Sequence, residues 1–170
     1  MLTDGKVVFV SLNASSILLL SPQDKNGEEI GHFEGDRKWL GPSVLPDGKV
    51  VFAPRNASSI LLFNPIDRSW EEIGLFEGDA KWGRAAVLPD GKVVFVPLND
   101  TSSLRFSPPD KTREEIGHFE GDRKWLGPSV LPDGKVVFPT RIASSLLLLT
   151  HYGNSWQHIA LSYGCASCPW

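Results

Sequence analysis

The chain has 170 residues, of which 41% are hydrophobic and 22% charged, an ordinary composition for a folded protein long enough to bury a core. Its formal net charge of −3 argues against a surface that grips nucleic acid through many phosphate contacts. The longest apolar run near the start, Ile17 to Leu20, is far too short to cross a bilayer, and no membrane partner is expected.

LTDGKVVF begins at Leu2, and LPDGKVVF begins at Leu45, Leu88 and Leu131, so a period of 43 residues holds without slip. A fixed period of this length marks a repeat architecture. The units run 2–44, 45–87, 88–130 and 131–161, and 162–170 forms a diverged tail. Read from Lys38, one unit divides into KWLGPSVL, GKVVFAP, SSILLFNP and WEEIGLF, four runs of strand length that we label A to D. Pro-Asp-Gly between A and B predicts a hairpin, because glycine accepts the positive φ that a tight turn demands. Asn-Ala-Ser separates B from C, and Pro-x-Asp separates C from D. Strands B and C read as continuous apolar runs and are expected to be buried on both faces. Strand D alternates as far as Leu75 and carries the pairs Glu28-Glu29, Glu71-Glu72 and Glu114-Glu115, a placement that blunts pairing along an outer sheet edge.

The expectation is an all-β chain of four tandem 43-residue, four-stranded blades of a β-propeller. Met1 stands just before strand B of the first unit, so that blade lacks a strand A and the propeller is expected to be incomplete. A piece of a larger propeller, a self-associating half and a small four-bladed ring are the three arrangements considered. The order K-W-x-G-x-x-V-L-P-D-G-K-V-V-F followed by S-S-I-L-L-F-N-P-x-D-x-x-W resembles kelch or galactose-oxidase-type blades over nearly the whole chain. It is also similar to uncharacterised propeller repeats built on K-W-x-G-x-V-L-x-P-D-G-K, a resemblance that implies no assigned activity. The kelch double glycine after strand B is replaced here by Ala53-Pro54 and Val96-Pro97.

In a meander of alternating strands the B–C and D–A loops share one face, and a ligand site is expected there. That face collects Arg55 and Arg141, the aspartates Asp36, Asp79 and Asp122, and the lysines Lys38, Lys81 and Lys124. Carboxylates beside cations suit a polar ligand such as a sugar or a peptide; the alternative is that Asp and Gly make the inter-blade turn while Lys neutralises it. Trp39, Trp82 and Trp125 are read as wedges between blades whose N–H finds a carbonyl. Asn13, Asn56 and Asn99 stand in formal glycosylation sequons, though asparagine at a turn is the preferred reading. His32 and His118 share a phase that Leu75 and Leu161 interrupt, so no metal-binding ring is expected. Cys165 and Cys168 form one C-x-x-C without the further ligands that zinc would need. A second pattern overlies the first: Gly41-Pro42 and Gly127-Pro128 alternate with Arg84-Ala85, and only three positions differ between Ser21–Phe52 and Ser107–Phe138.

G-x-S-x-G, H-E-x-x-H, G-x-G-x-x-G and Walker-type loops are all missing from the sequence. The functional expectation is a non-enzymatic module, without cofactor or metal, that binds a protein or polar ligand through its B–C/D–A loop face. The alternative is a piece of a larger carbohydrate-active or oxidase-like enzyme whose catalytic groups lie outside this chain. Location is not fixed; the cytoplasm is favoured because no signal pattern is visible at Met1-Leu2-Thr3-Asp4.

Overall fold

The computed structural model describes residues 1–10, 13, 15–121, 125–139, 145–150 and 155–160. The first blade holds β1 (Val7–Val10), β2 (Ile17–Ser21) and β3 (Asn26–Ile30). The second holds β4 (Trp39–Val44), β5 (Val50–Pro54), β6 (Ile60–Phe63) and β7 (Trp70–Ile73). The third holds β8 (Trp82–Val87), β9 (Val93–Pro97), β10 (Ser103–Ser107) and β11 (Thr112–Ile116). The fourth holds β12 (Ser129–Val130), β13 (Val136–Phe138), β14 (Ser145–Thr150) and β15 (Ser155–Ala160). Each sheet is an antiparallel meander in chain order, three-stranded in the first blade and four-stranded in the others. No helix interrupts the described residues, and none there is long and apolar enough to cross a membrane.

The A–B turn forms because its chemistry is local. Gly48 N–H donates to Leu45 O at 2.9 Å, Asp47 accepts from Lys49 N–H at 3.1 Å, and Gly48 takes a φ of 85°. Strand D ends earlier than its alternation implies. β7 stops at Ile73 because Gly74 turns to a φ of 96°, and Leu75 is thrown into solvent. That glycine also makes room: a Cβ on Gly74 would lie 2.8 Å from the ring of Phe76, which folds back under the turn.

Blades pack face to face through three apolar clusters, each joining one blade to the next in sequence. Between the first two, Val8, Ile17, Leu19 and Ile30 meet Trp39, Val50, Phe52, Leu61 and Phe63. Between the next two, Val51, Ala53, Ile60 and Leu62 meet Trp82, Val93, Phe95, Leu104 and Phe106. The third repeats the scheme with Val94 and Val96 against Trp125, Val136, Phe138 and Leu147. Alternate residues of strands B and C therefore serve opposite neighbours, which is why these strands read as uniformly apolar. Along the outer edge, exposed ion pairs link successive blades: Arg68 to Glu28 at 2.8 Å and Lys111 to Glu71 at 2.6 Å.

The described residues form an open array, the architecture of an incomplete propeller. Burial of both faces of B and C holds only in the inner blades, because the leading flank of the first blade has no neighbour among the described residues. Phe9 is 47% exposed there, while Phe52, one period later, is fully buried. The same substitution at these two positions should therefore differ in cost. Phe52→Ala is expected to lower the unfolding free energy by about 3–5 kcal/mol and Phe9→Ala by less than about 1 kcal/mol, measured by urea denaturation. Equal losses would show that the leading flank is covered in solution.

Candidate functional site

The B–C and D–A loops emerge on one face because β5 and β7 run parallel to each other in the meander and end there together. Backbone hydrogen bonds tie each loop to the start of an inner strand: Arg55 N–H donates to Lys38 O at 2.9 Å, and Leu98 N–H to Lys81 O at 2.8 Å. Neighbouring blades are tied as well. Lys81 N–H donates to Arg55 O at 3.0 Å, and Ala80 N–H donates to the Asn56 side-chain oxygen at 2.9 Å. Asn56 thus serves as a clamp between blades, whereas Asn13 and Asn99 are exposed.

Lys38 and Lys81 are buried, at 6% and 3% exposure, which the polar pattern of E-G-D-x-K does not suggest. Each ammonium folds back into its own loop and donates to a glycine carbonyl, Gly35 O at 2.5 Å and Gly78 O at 2.6 Å. Burial pushes the Lys81 pKa down, against the nearby carboxylates Asp79 and Asp100, which pull it up. Arg55 is half-buried, and its Nε is buried without a hydrogen-bond partner among the described residues. Asp122, Lys124 and Arg141 lie outside the described residues, as do Cys165 and Cys168.

Beneath these loops the tryptophans fill the wedge, as their period implies. Trp39 Nε1 donates to Ser59 O at 2.7 Å and Trp82 Nε1 to Ser102 O at 2.8 Å, and Trp39, Trp82 and Trp125 are buried. Each packs edge-on against the phenylalanine of the preceding D–A loop: Phe33, Phe76 and Phe119. They are therefore not open platforms for a sugar.

Above them lies a groove of about 570 Å³, bordered by His32, Glu34, Asp36, Lys38, Asn56, Glu72 and Asp79 among others. Asp36, Lys38, Asn56 and Asp79, drawn from three different loops, thus share one concavity. Glu34, Asp36 and Asp79 are exposed, and Glu72 accepts from the Ser59 hydroxyl at 2.5 Å. With the Lys38 ammonium engaged by Gly35 O, the groove presents mostly carboxylate oxygens. No group of three or more potential metal-ligating side chains occurs among the described residues. The sequence places Glu34 on this face in the same loop as Asp36, but His32 and Glu72 read from it as solvent-facing groups of the outer strand and were missed as groove residues.

The Lys81 environment has a consequence for stability. A folded-state pKa held below 10.5 means that the charged form costs the fold stability below that pKa, a cost lost as pH rises toward the unfolded value. The native chain should therefore gain stability relative to Lys81→Met as pH rises toward 10.5, read from denaturant midpoints. A difference that stays flat with pH would place the ammonium in water.

No family profile and no curated protein matches the sequence. Solved structures do. Virginiamycin B lyase from Staphylococcus aureus superposes with a TM-score of 0.81 at 17% identity, covering 96% of this chain and 55% of that one. A streptogramin B lyase gives a TM-score of 0.80 at 20% identity, covering 96% and 54%. A candidate gluconolactonase gives 0.68 at 15% identity, covering 92% and 59%. The chain spans about half the length of the two lyases. At these identities the likeness establishes the propeller fold, without specific support for kelch-type blades. It also corrects the expectation that the chain is not an enzyme, because the structures sharing its fold include enzymes. The physical reason is that loops from separate blades converge in space, so a propeller site needs no contiguous motif that a scan along one strand of sequence would detect.

Proposed function

We propose that this propeller array binds a donor-rich polar ligand, a sugar or a cationic peptide side chain, in the groove of its B–C/D–A loop face. The observation that carries the reading is the meeting of Asp36, Asn56 and Asp79 from three loops in one concavity of about 570 Å³. That volume falls within the range of small-molecule sites. The carboxylates accept hydrogen bonds from hydroxyl or ammonium groups, and the loops are held by inter-blade hydrogen bonds, which lowers the ordering cost of binding.

The test uses side chains that carry little of the fold. Asp36 and Asp79 are exposed, so Asp36→Asn and Asp79→Asn together should leave the chain folded, with a small drop in denaturation midpoint because Asp79 helps to keep Lys81 charged. Binding would be screened by ligand-observed NMR against a panel of monosaccharides and Lys/Arg tetrapeptides. The double variant should weaken any hit by about tenfold or more, the loss of charge-assisted acceptors. A hit bound equally well by the double variant, or an empty screen, would overturn the reading.

The lyase neighbours favour a second reading, in which the same groove contributes to an active site shared with further blades. His32 supplies the groove with an imidazole beside carboxylates, the pairing used for proton transfer. Turnover of a cyclic ester by this chain that is lost in His32→Ala would select it; turnover unaffected by that change would reject it.

A further inference from the structure

The inner strands β4, β8 and β12 lie side by side, and one groove of about 500 Å³ runs across them. It is lined by Gly41, Pro42 and Ser43 on one side, Gly127, Pro128 and Ser129 on the other, and Arg84 and Ala85 between. Arg84 is the one charged residue in this lining. Its side chain is exposed and makes no hydrogen bond or ion pair among the described residues. Both flanking strands give way to it. A Cβ on Gly41 would come within 2.8 Å of Arg84 Cγ, and a Cβ on Gly127 within 2.8 Å of Arg84 Cδ. The register of β4 shifts between Leu40 and Ser43, and that of β8 between Trp82 and Ala85, so the bulges fall on Gly41-Pro42 and Gly83-Arg84 themselves. Such bulges re-aim side chains and break regular pairing at functional positions.

We propose that this inner-strand groove is an oxyanion site, in which the Arg84 guanidinium holds the carboxylate or phosphate group of a small molecule. Three observations converge on it. An arginine without an ionic partner keeps its fork of donors for a planar or tetrahedral oxyanion, which it binds through two parallel hydrogen bonds. The lining contains no carboxylate to repel such a group, in contrast to the loop-face groove with its Glu34, Asp36, Glu72 and Asp79. Ser129 is exposed at the rim and adds a hydroxyl donor, while the Ser43 hydroxyl is engaged by Ala85 O at 3.1 Å and joins β4 to β8. The two glycines have a defined part: they let the aliphatic stem of Arg84 lie flat between the neighbouring strands, which restricts its rotamers before a ligand arrives.

The test titrates inorganic phosphate and citrate, separately, into the chain and follows the arginine Nε–Hε resonances by NMR. Saturable shifts at Arg84, with half-saturation below about 1 mM for at least one of the two, are expected. Arg84→Gln should abolish the saturation, and Arg84→Lys should weaken it by about tenfold, because a point charge does not replace the fork. Gly127→Ala leaves the charge unchanged but sets a methyl group against Arg84 Cδ, and should weaken binding as well. Asp36→Asn with Asp79→Asn should leave it unaltered, which separates this site from the loop-face groove. Shifts that remain linear in concentration, or the same affinity in Arg84→Gln, would overturn the assignment. A folded spectrum for each variant keeps these outcomes distinct from loss of structure.

Discussion

The contact between one blade's tryptophan and the preceding loop's phenylalanine is the constraint on which the array depends. Ring centroids stand 5.0, 5.1 and 4.9 Å apart at Phe33–Trp39, Phe76–Trp82 and Phe119–Trp125, each pair edge to face. Edge-to-face packing sets the positive rim of one ring against the negative face of the other and fixes their angle as well as their distance. The indole N–H of Trp39 and Trp82 adds a hydrogen bond to a carbonyl at the head of strand C in the same blade. One side chain thereby locates an inner strand against its own sheet and against the previous blade. Since the contact recurs every 43 residues, the rotation from blade to blade is repeated with it.

What lies on the loop face follows from that anchor. Once Phe76 is seated beneath Trp82, its backbone N–H reaches Ser58 O at 2.7 Å and the D–A loop is drawn against the B–C loop of its own blade. The loop's remaining polar groups are then satisfied internally: Lys81 caps Gly78 O, and Asn56 accepts from Ala80 N–H. The lysines Lys38 and Lys81 are turned inward to hold their loops, and the carboxylates of Asp36 and Asp79 are left facing water. In Glu77-Gly78-Asp79-Ala80-Lys81 the single cation is turned inward, so that loop shows water only its two carboxylates.

Much of the fold is legible in the sequence because its signals are local. Pro-Asp-Gly makes its turn from its own atoms, and the apolar runs VVF and ILLF declare strands buried on two sides. The end of strand D is less legible, since Ile73-Gly74-Leu75-Phe76 alternates convincingly until Gly74 leaves the extended region. The burial of Lys38 and Lys81 is hidden for a different reason: a lysine next to aspartate reads as a solvated ion pair, and only the folded loop offers the glycine carbonyl. Strand direction is enough to bring Asp36, Lys38 and Asp79 to one concavity, but His32 and Glu72 join them only through the folded outer strand.

The near identity of the repeats sharpens the meaning of the positions where they differ. Leu98 packs its side chain at 3.3 Å from where a Cβ of Gly83 would stand; one period earlier the corresponding residues are Leu40 and Arg55. Glycine with leucine stands here where leucine with arginine stands one period earlier, so this loop position loses its charge and Leu98 fills the space over the glycine. The inner strands show the companion exchange, glycine at 41 and 127 against arginine at 84. Arginine at all three would bring like charges together on adjacent strands and leave no space for any of their stems. Glycine at all three would leave a neutral trough. Only the alternating arrangement gives a single guanidinium with room on both sides, so the departure from strict repetition is what creates a distinct chemical group in an otherwise uniform array.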